Sequence, residues 1–277
     1  FRKEVIGWSL YDFANTIYSM NIISLYFKRY LVEDLGKDDR WFDIPYSLSM
    51  VLVAVLIPAL SALSDQSAKK KFFVFLFTLT CCISTGLMSL VPPSAVLALV
   101  ALLIISNFTY EASMPFYNSL LYSVAEGKQA RIVSGFGVSF GYLGSILGMI
   151  VVLPFVAGSL FGLEIPSISA GGKAGAFLPT AVLFFLVSLP FFLWVHEKPV
   201  VSTHKPSIKK AYHHVWEGIR RTEKYPGVLR FLIADYFFED AVTTVIINIG
   251  LYCSIVIGFS DTELNSFLII STVSAVV

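Results

Sequence analysis

Three apolar stretches of this chain carry acidic and amide side chains at helical spacing. In the first, Asp12, Asn15, Thr16 and Ser19 recur at i, i+3, i+4 and i+7, and Tyr26 continues the stripe. In the second, Asn107, Glu111 and Asn118 stand at i, i+4 and i+11. The third opens with Asp235, Glu239 and Asp240 and carries Asn248 two turns on. Such spacing gathers each set on one helix face. A carboxylate in apolar surroundings can exchange a proton or hold a cation, and neighbouring amides and hydroxyls can hydrogen-bond a polar solute. The chemistry of an enzyme is missing: there is no HExxH, no GxSxG and no phosphate-binding glycine loop. Ser67-Ala68-Lys69-Lys70 has SxxK spacing but falls in a short charged turn. Cys81, Cys82 and Cys253 lie in apolar runs and read as small buried hydrophobes. All four histidines (His196, His204, His213, His214) fall in one polar segment, where solvated loop residues are a better reading than a metal site. Neither a metal nor another cofactor is expected.

The elements that must position these groups are set by composition. Of 277 residues, 56% are hydrophobic and 14% charged, against about 25% charged in a soluble domain; mean hydropathy is +0.75. No Asp, Glu, Lys or Arg occurs within Phe72–Tyr110, Ile44–Ser64, Ile132–Leu163, Ala174–Val195 or Ala241–Ser260. About 20 apolar residues suffice for a helix to cross a bilayer. A soluble enzyme, a disordered chain and a disulfide scaffold are excluded, and an all-α polytopic membrane protein remains. The net charge of +1 gives no long-range attraction to nucleic acid, and no cleavable signal peptide is visible.

Breakers and charges predict spans over Gly7–Tyr30, Ile44–Ser64, Phe72–Val91, Ser94–Val124 (kinked at Pro115), Ile132–Val156, Gly175–Val195 and Val228–Ile257, with an eighth beginning near Glu263. This arrangement divides the chain into a six-helix bundle over 1–195, an amphipathic linker over 196–226 and the start of a second bundle over 227–277, with both chain ends looking cut. An N-terminus in the cytoplasm puts fifteen of the 20 Lys and Arg inside, leaving Lys28, Arg29, Lys37, Arg40 and Lys173 outside. In the linker, Ile208, Tyr212, Val215 and Ile219 share a face, with Lys209, Lys210, Arg220 and Arg221 on others. It reads equally as a helix resting on anionic lipid headgroups and as a solvated linker. Gly137, Gly141, Gly144 and Gly148 form a stripe on which a second backbone can pack closely.

An ionisable side chain deep in a bilayer costs at least ~2.5–3.5 kcal/mol on insertion scales, so it is expected to face a wet cavity or a partner. Glu111 falls ~25 Å into its span at ~1.5 Å per residue, with no Lys or Arg at its depth; a structural hydrogen bond or ion pair is the alternative to proton exchange. Asp12 lies near its helix start and also suits the helix dipole. Asp235 lies near Arg230 and reads as interfacial. Polar groups converging from three spans suggest a translocation cavity between two bundles.

Several runs then resemble one family. Ser61-Ala62-Leu63-Ser64-Asp65-Gln66-Ser67-Ala68-Lys69-Lys70-Lys71 resembles the loop signature of the major facilitator superfamily, with Ser61, Gln66 and Ala68 departing from it. Gly7-Trp8-Ser9-Leu10-Tyr11-Asp12-Phe13-Ala14-Asn15-Thr16 is similar to the opening helix of its vacuole-effluxer branch, the relatives of autophagy protein twenty-two. Phe116-Tyr117-Asn118-Ser119-Leu120-Leu121, Arg131-Ile132-Val133-Ser134-Gly135-Phe136-Gly137 continuing to Gly141-Tyr142-Leu143-Gly144, and Phe237-Phe238-Glu239-Asp240-Ala241-Val242 fit the same branch. In the last run, Glu239 and Ala241 depart from the usual Asn and Gly. The resemblance implies a major-facilitator-like helix bundle, here the six-helix first half plus the start of the second, and secondary transport.

The expected solute is small and polar, an amino acid first, moved by alternating access and coupled to protons or Na+. Asp12, Asn15, Tyr18, Asn107 and Asn118 are the expected substrate-binding residues. Glu111, Glu239 and Asp240 are expected to couple protons, with Asp65 at a cytoplasmic gate where it caps the next helix. The expected setting is a monomer in lipid, in a cell inner membrane or, in a eukaryote, a vacuolar one. A sugar–cation symporter, a lipid transporter and a non-transporting sensor or scaffold are the alternatives. The scaffold predicts Asp12 and Glu111 bonded in a dry bundle centre.

Overall fold

A computed structural model describes residues 2–67, 69–160, 163–165, 170–197, 208–222, 225 and 227–276. The side chains of 65–67, 208, 210 and 275–276 lie outside that description. The molecule is a bundle of membrane-spanning helices, and six of the described helices are long and apolar enough to cross a bilayer.

The first span is not uniformly wound. α1 (Lys3–Tyr18) passes into a π-helical stretch, Ser19–Tyr26, then α2 (Phe27–Arg29) and a second π-helical turn, Tyr30–Asp34. Wider π turns insert residues into the helical register, so Asn21 to Tyr26 are all buried together. The sequence pattern gives a single helix to Tyr30; the winding extends the span to Asp34.

α3 (Arg40–Ser67), α4 (Lys70–Met88), α5 (Val96–Val124), α6 (Lys128–Ala157) and α7 (Phe177–Trp194) follow the expected spans within a few residues. α5 continues through Pro115, and α3 contains Pro45 and Pro58. α6 stops at Gly158, whose φ of 70° suits a left-handed C-cap. Beyond it, Ser159–Leu160 pairs with Leu163–Glu164 in a small antiparallel hairpin that the apolar pattern does not signal. A 3-10 turn, Lys173–Ala176, leads into α7.

The amphipathic α8 (Ile208–Thr222) lies against α3, where the Tyr212 hydroxyl donates to the Val55 carbonyl at 2.5 Å. α9 (Val228–Tyr252) ends in a π turn, Cys253–Ile257. α10 (Asp261–Val276) opens on a capping box: Ser260 N donates to Glu263 at 2.9 Å, and Glu263 N returns to Ser260 Oγ at 3.4 Å.

α1 runs through the middle of the bundle, with α6 and α7 as its principal neighbours. The glycine stripe lets it approach α6 closely. A Cβ on Gly144 would collide with the Phe13 carbonyl, one on Gly137 would lie 2.5 Å from Trp8, and one on Gly148 2.9 Å from Asn21 Nδ2. Trp8 and Tyr117 bind α1 to α5 reciprocally. Trp8 Nε1 donates to the Tyr117 carbonyl at 3.3 Å, Tyr117 OH donates to the Trp8 carbonyl at 3.0 Å, and the rings stack at 4.6 Å. Tyr11 is fully buried among Tyr117 and Phe191, its hydroxyl 2.7 Å from Thr78 Oγ1 and 3.1 Å from Ser113 Oγ. Every buried polar group so bonded avoids the penalty of an unmet partner in lipid.

Candidate functional site

A cavity of about 590 Å³ opens between the first bundle and the two helices that follow the linker. From the first span come Thr16, Ser19, Met20, Ile23 and Ser24; α3 contributes Tyr46, and α5 contributes Tyr110 and Glu111. α6 adds Tyr142 and Ser145, and the opposite wall is α9 and α10, through Thr243, Ile246, Ile249 and Leu268. Glu111 is the cavity's one charged lining residue among those described, and it has neither a hydrogen bond nor an ion pair with another described residue. It is half-buried and lines the void.

Asp12 does not line this void. It stands one turn before Thr16 on the same helix face, over Gly141: a Cβ there would lie 3.4 Å from an Asp12 carboxylate oxygen. The stripe read from the sequence is therefore shared, with Thr16 and Ser19 in the cavity wall and Asp12 about 6 Å further along the helix.

The remaining candidates are placed elsewhere. Asn15 is buried and donates to Met114 Sδ at 3.0 Å; the Tyr18 hydroxyl donates to Ser106 Oγ at 3.0 Å. Asn107 is buried and donates to Ser49 Oγ at 2.7 Å, joining α5 to α3. Asn118 is exposed two turns from Glu111, and Asp235, Glu239 and Asp240 lie on the exposed part of α9, away from the cavity. The side chain of Asp65 lies outside the described residues. At the start of α4, Glu197 accepts from the backbone N–H groups of Lys70 and Lys71 at 2.9 and 3.1 Å, an N-terminal cap supplied from beyond α7.

Two features go beyond the candidate residues read from the sequence. Tyr46 and Tyr142 complete the cavity wall; Tyr142 belongs to the family-like run Gly141-Tyr142-Leu143-Gly144, and Tyr46 is marked only as the residue after Pro45. The second feature is an ionic network at the far end of the first span. Lys28 Nζ lies 2.7 Å from Asp43 and donates to Asn248 Oδ1 at 2.6 Å, while sitting 5.6 Å from the Phe42 ring centroid. Arg29 pairs with Glu33 at 2.9 Å and Asp261 at 2.8 Å, and donates to Ser254 Oγ at 3.2 Å. Lys173 adds bonds of 3.0 Å to Glu33 and 2.6 Å to Asp34. Close by, Asn265 donates to the buried Tyr26 hydroxyl at 2.9 Å. The first span is thus fastened to α9, to its π turn and to α10 at that end. The earlier part of α9, through Val242, is exposed along its length.

Residues 44–277 match the model of the family described as vacuole effluxer Atg22 like. The chain is 27% identical, over 99% of its length, to an uncharacterized MFS-type transporter, YxiO, of Bacillus subtilis. It is 26% identical, over 99% of its length, to an uncharacterized protein of Aquifex aeolicus. It spans 65% and 64% of the lengths of those two relatives. With most of its length inside the family match and a membrane-spanning helix bundle as its fold, this chain belongs to the Atg22-like vacuole effluxer family.

Proposed function

We propose that the protein is a secondary transporter which carries a small polar solute across its membrane by alternating access. The observation that carries this reading is the position of Glu111: a carboxylate without a bonding partner among the described residues, facing a 590 Å³ void between two sets of helices. A carboxylate at that depth needs a counter-charge. A proton supplies it in one step and a cationic group of the solute in another, which couples the two movements. The name of the Bacillus subtilis relative supports the transport class.

An amino acid is the first solute to test, its ammonium group on Glu111. Asp12 lies one turn from the cavity toward the N-terminal end of the span, on the route that a solute or proton takes to that face. The N-terminus is proposed to be cytoplasmic. The experiment is uptake or efflux in proteoliposomes under an imposed pH gradient. Glu111→Gln is expected to lose gradient-driven movement while keeping exchange of solute down its own gradient. Full gradient-driven transport by that variant removes Glu111 from coupling.

A further inference from the structure

One amide beside the cavity is left with its oxygen unmatched. Asn107 and Ser49 are both fully buried where α5 meets α3. Ser49 Oγ donates to the Tyr46 carbonyl at 2.6 Å, and a hydroxyl has one proton to give. Toward Asn107, 2.7 Å away, Ser49 therefore acts as acceptor. This fixes the amide: its nitrogen faces Ser49, and Oδ1 faces away from it. Oδ1 is closed off from solvent and has no hydrogen-bond partner among the described residues, a costly state for a buried acceptor.

Glu111 stands one turn on from Asn107, on the same helix face. Side chains on a helix lean toward its N-terminal end, so the Glu111 carboxyl leans back over Asn107. Polar pairs at i and i+4 lie within hydrogen-bonding reach. What this pair can do depends on one proton. An ionised carboxylate is an acceptor only, and it meets Oδ1 as acceptor against acceptor. A protonated carboxyl has an O–H to donate, and a donor is what Oδ1 lacks.

The other titratable groups facing Glu111 are phenols. Tyr46 of α3, Tyr18 of the first span and Tyr110 of α5 lie within electrostatic reach of it, and Tyr142 of α6 shares its cavity wall. None carries a charge near pH 7, and the Tyr18 hydroxyl is spent on Ser106. Asp12 lies outside the wall, and α9 and α10 bring Thr243, Ser271 and Thr272 to it, which are uncharged.

We propose that Asn107 is the positioning residue for the proton of Glu111: its Oδ1 accepts the hydrogen bond of the protonated carboxyl, and Ser49 keeps the amide turned that way. No proton passes to the amide; it stays on the carboxyl oxygen and leaves toward the cavity. The assignment rests on the coupling role given to Glu111 above and names the group that sets how tightly the proton is held.

Ser49→Ala removes the acceptor that pins the amide. Asn107 can then turn its nitrogen to the carboxylate, and the ionised form gains a partner that it lacks in the unaltered chain. The readout is the infrared carbonyl band of the protonated carboxyl, taken as the part that Glu111→Gln removes and titrated against pH on the full-length protein in nanodiscs. Ser49→Ala is expected to lower the midpoint of this band by about one pH unit, a tenfold loss of proton affinity. Ser49→Thr keeps the hydroxyl and should hold that affinity within about twofold.

An Asn107 that only ties α5 to α3 would cost Ser49→Ala stability without moving the midpoint, and that result overturns the assignment. So does a titration in which Glu111→Gln removes no band. A midpoint that moves with Na+ at constant ionic strength overturns it as well, because a metal ion would then lie between the two oxygens. If Ser49→Ala does not fold, as read by gel filtration, Ser49→Cys takes its place: sulfur is a weak acceptor, and the shift is expected in the same direction. Amino-acid transport in proteoliposomes under the pH gradient separates the two readings. A band shifted by Ser49→Ala with no gradient-driven transport sinks the carrier and leaves the positioning role. Transport that Glu111→Gln abolishes, with a band that Ser49→Ala leaves in place, sinks the positioning role and leaves the carrier.

Discussion

Arg29 shows how one side chain is kept charged at the edge of a bilayer. Its side chain is 3% exposed, and Glu33 and Asp261 both lie within 2.9 Å. Two carboxylates around one guanidinium make a compact, directional cluster. Removing the cation strands Asp261 and leaves Glu33 to Lys173 alone, and breaking a buried pair typically costs about 3–5 kcal/mol. Arg29→Gln is therefore expected to lower the unfolding free energy by an amount of that order, measured by denaturant titration in mild detergent. By contrast, Asp38→Asn disturbs the exposed 3.6 Å contact with the Arg40 side chain and keeps an oxygen to accept from the Arg40 backbone N–H, now 3.0 Å away, and is expected to change stability by less than about 1 kcal/mol. A loss below 1 kcal/mol for Arg29→Gln would mean that water reaches the cluster. The positive charges of Lys28 and Arg29 are plain in the sequence, but they read there only as the outer end of the first span. Their partners Asp43, Asn248, Ser254 and Asp261 sit 15 to more than 200 residues away. Only the closed bundle brings them together. Glu111, in contrast, announces itself locally, as the one carboxylate deep in a long uncharged run.

At the level of the element, period and composition carry most of the information. Uncharged runs and Gly or Pro breakers locate α3 to α7 to within a few residues, because each helix must satisfy its own backbone in lipid. The glycine stripe of α6 was likewise legible, since small residues at i, i+4, i+7 and i+11 have one use on a membrane helix, close approach. The π winding of Ser19–Tyr26 was not: it depends on which neighbours the span meets, and no residue type marks it.

The stripe makes a paired prediction. Gly144→Ala drives a methyl into the Phe13 carbonyl, and backbone cannot step aside as a side-chain tip can. Overpacking of this kind typically costs about 1–3 kcal/mol, so the melting midpoint in detergent should fall. Gly135→Ala, on the same helix, meets nothing within 4 Å and gains up to about 1 kcal/mol of helix propensity. A drop for Gly135→Ala equal to that for Gly144→Ala would show that helix flexibility, not contact with α1, is the reason for the glycines.

At the scale of the whole molecule, the first span and the helices beyond the linker are tied together at one end of the cavity. On the side of the ionic network, Lys28 reaches Asn248, Arg29 reaches Ser254 and Asp261, and a Cβ on Gly250 would lie 2.9 Å from the Ser24 carbonyl. These contacts cross from the first span to α9 and α10. Under the proposed alternating access these contacts break when that side opens, so their strength sets how often it opens.

Cys253 is a built-in reporter, because it is 1% exposed and lies beside Ser254 in the network. The double variant Asn248→Ala/Asp261→Asn removes crossing bonds while leaving the Lys28–Asp43 pair in place. Its Cys253 should react with a membrane-impermeant thiol reagent, added on the side of residues 36–39, at least about tenfold faster than the unaltered chain. Tenfold corresponds to ~1.4 kcal/mol in the opening equilibrium, well within the cost of losing one buried ionic partner. Cys81 and Cys82, both buried in α4, should keep their slow reaction, which separates opening at this end from general unfolding. An unchanged Cys253 rate would mean that packing around Gly250, rather than charge, holds the two sets of helices shut. In that case Gly250→Leu, not the ionic variants, should accelerate the labelling.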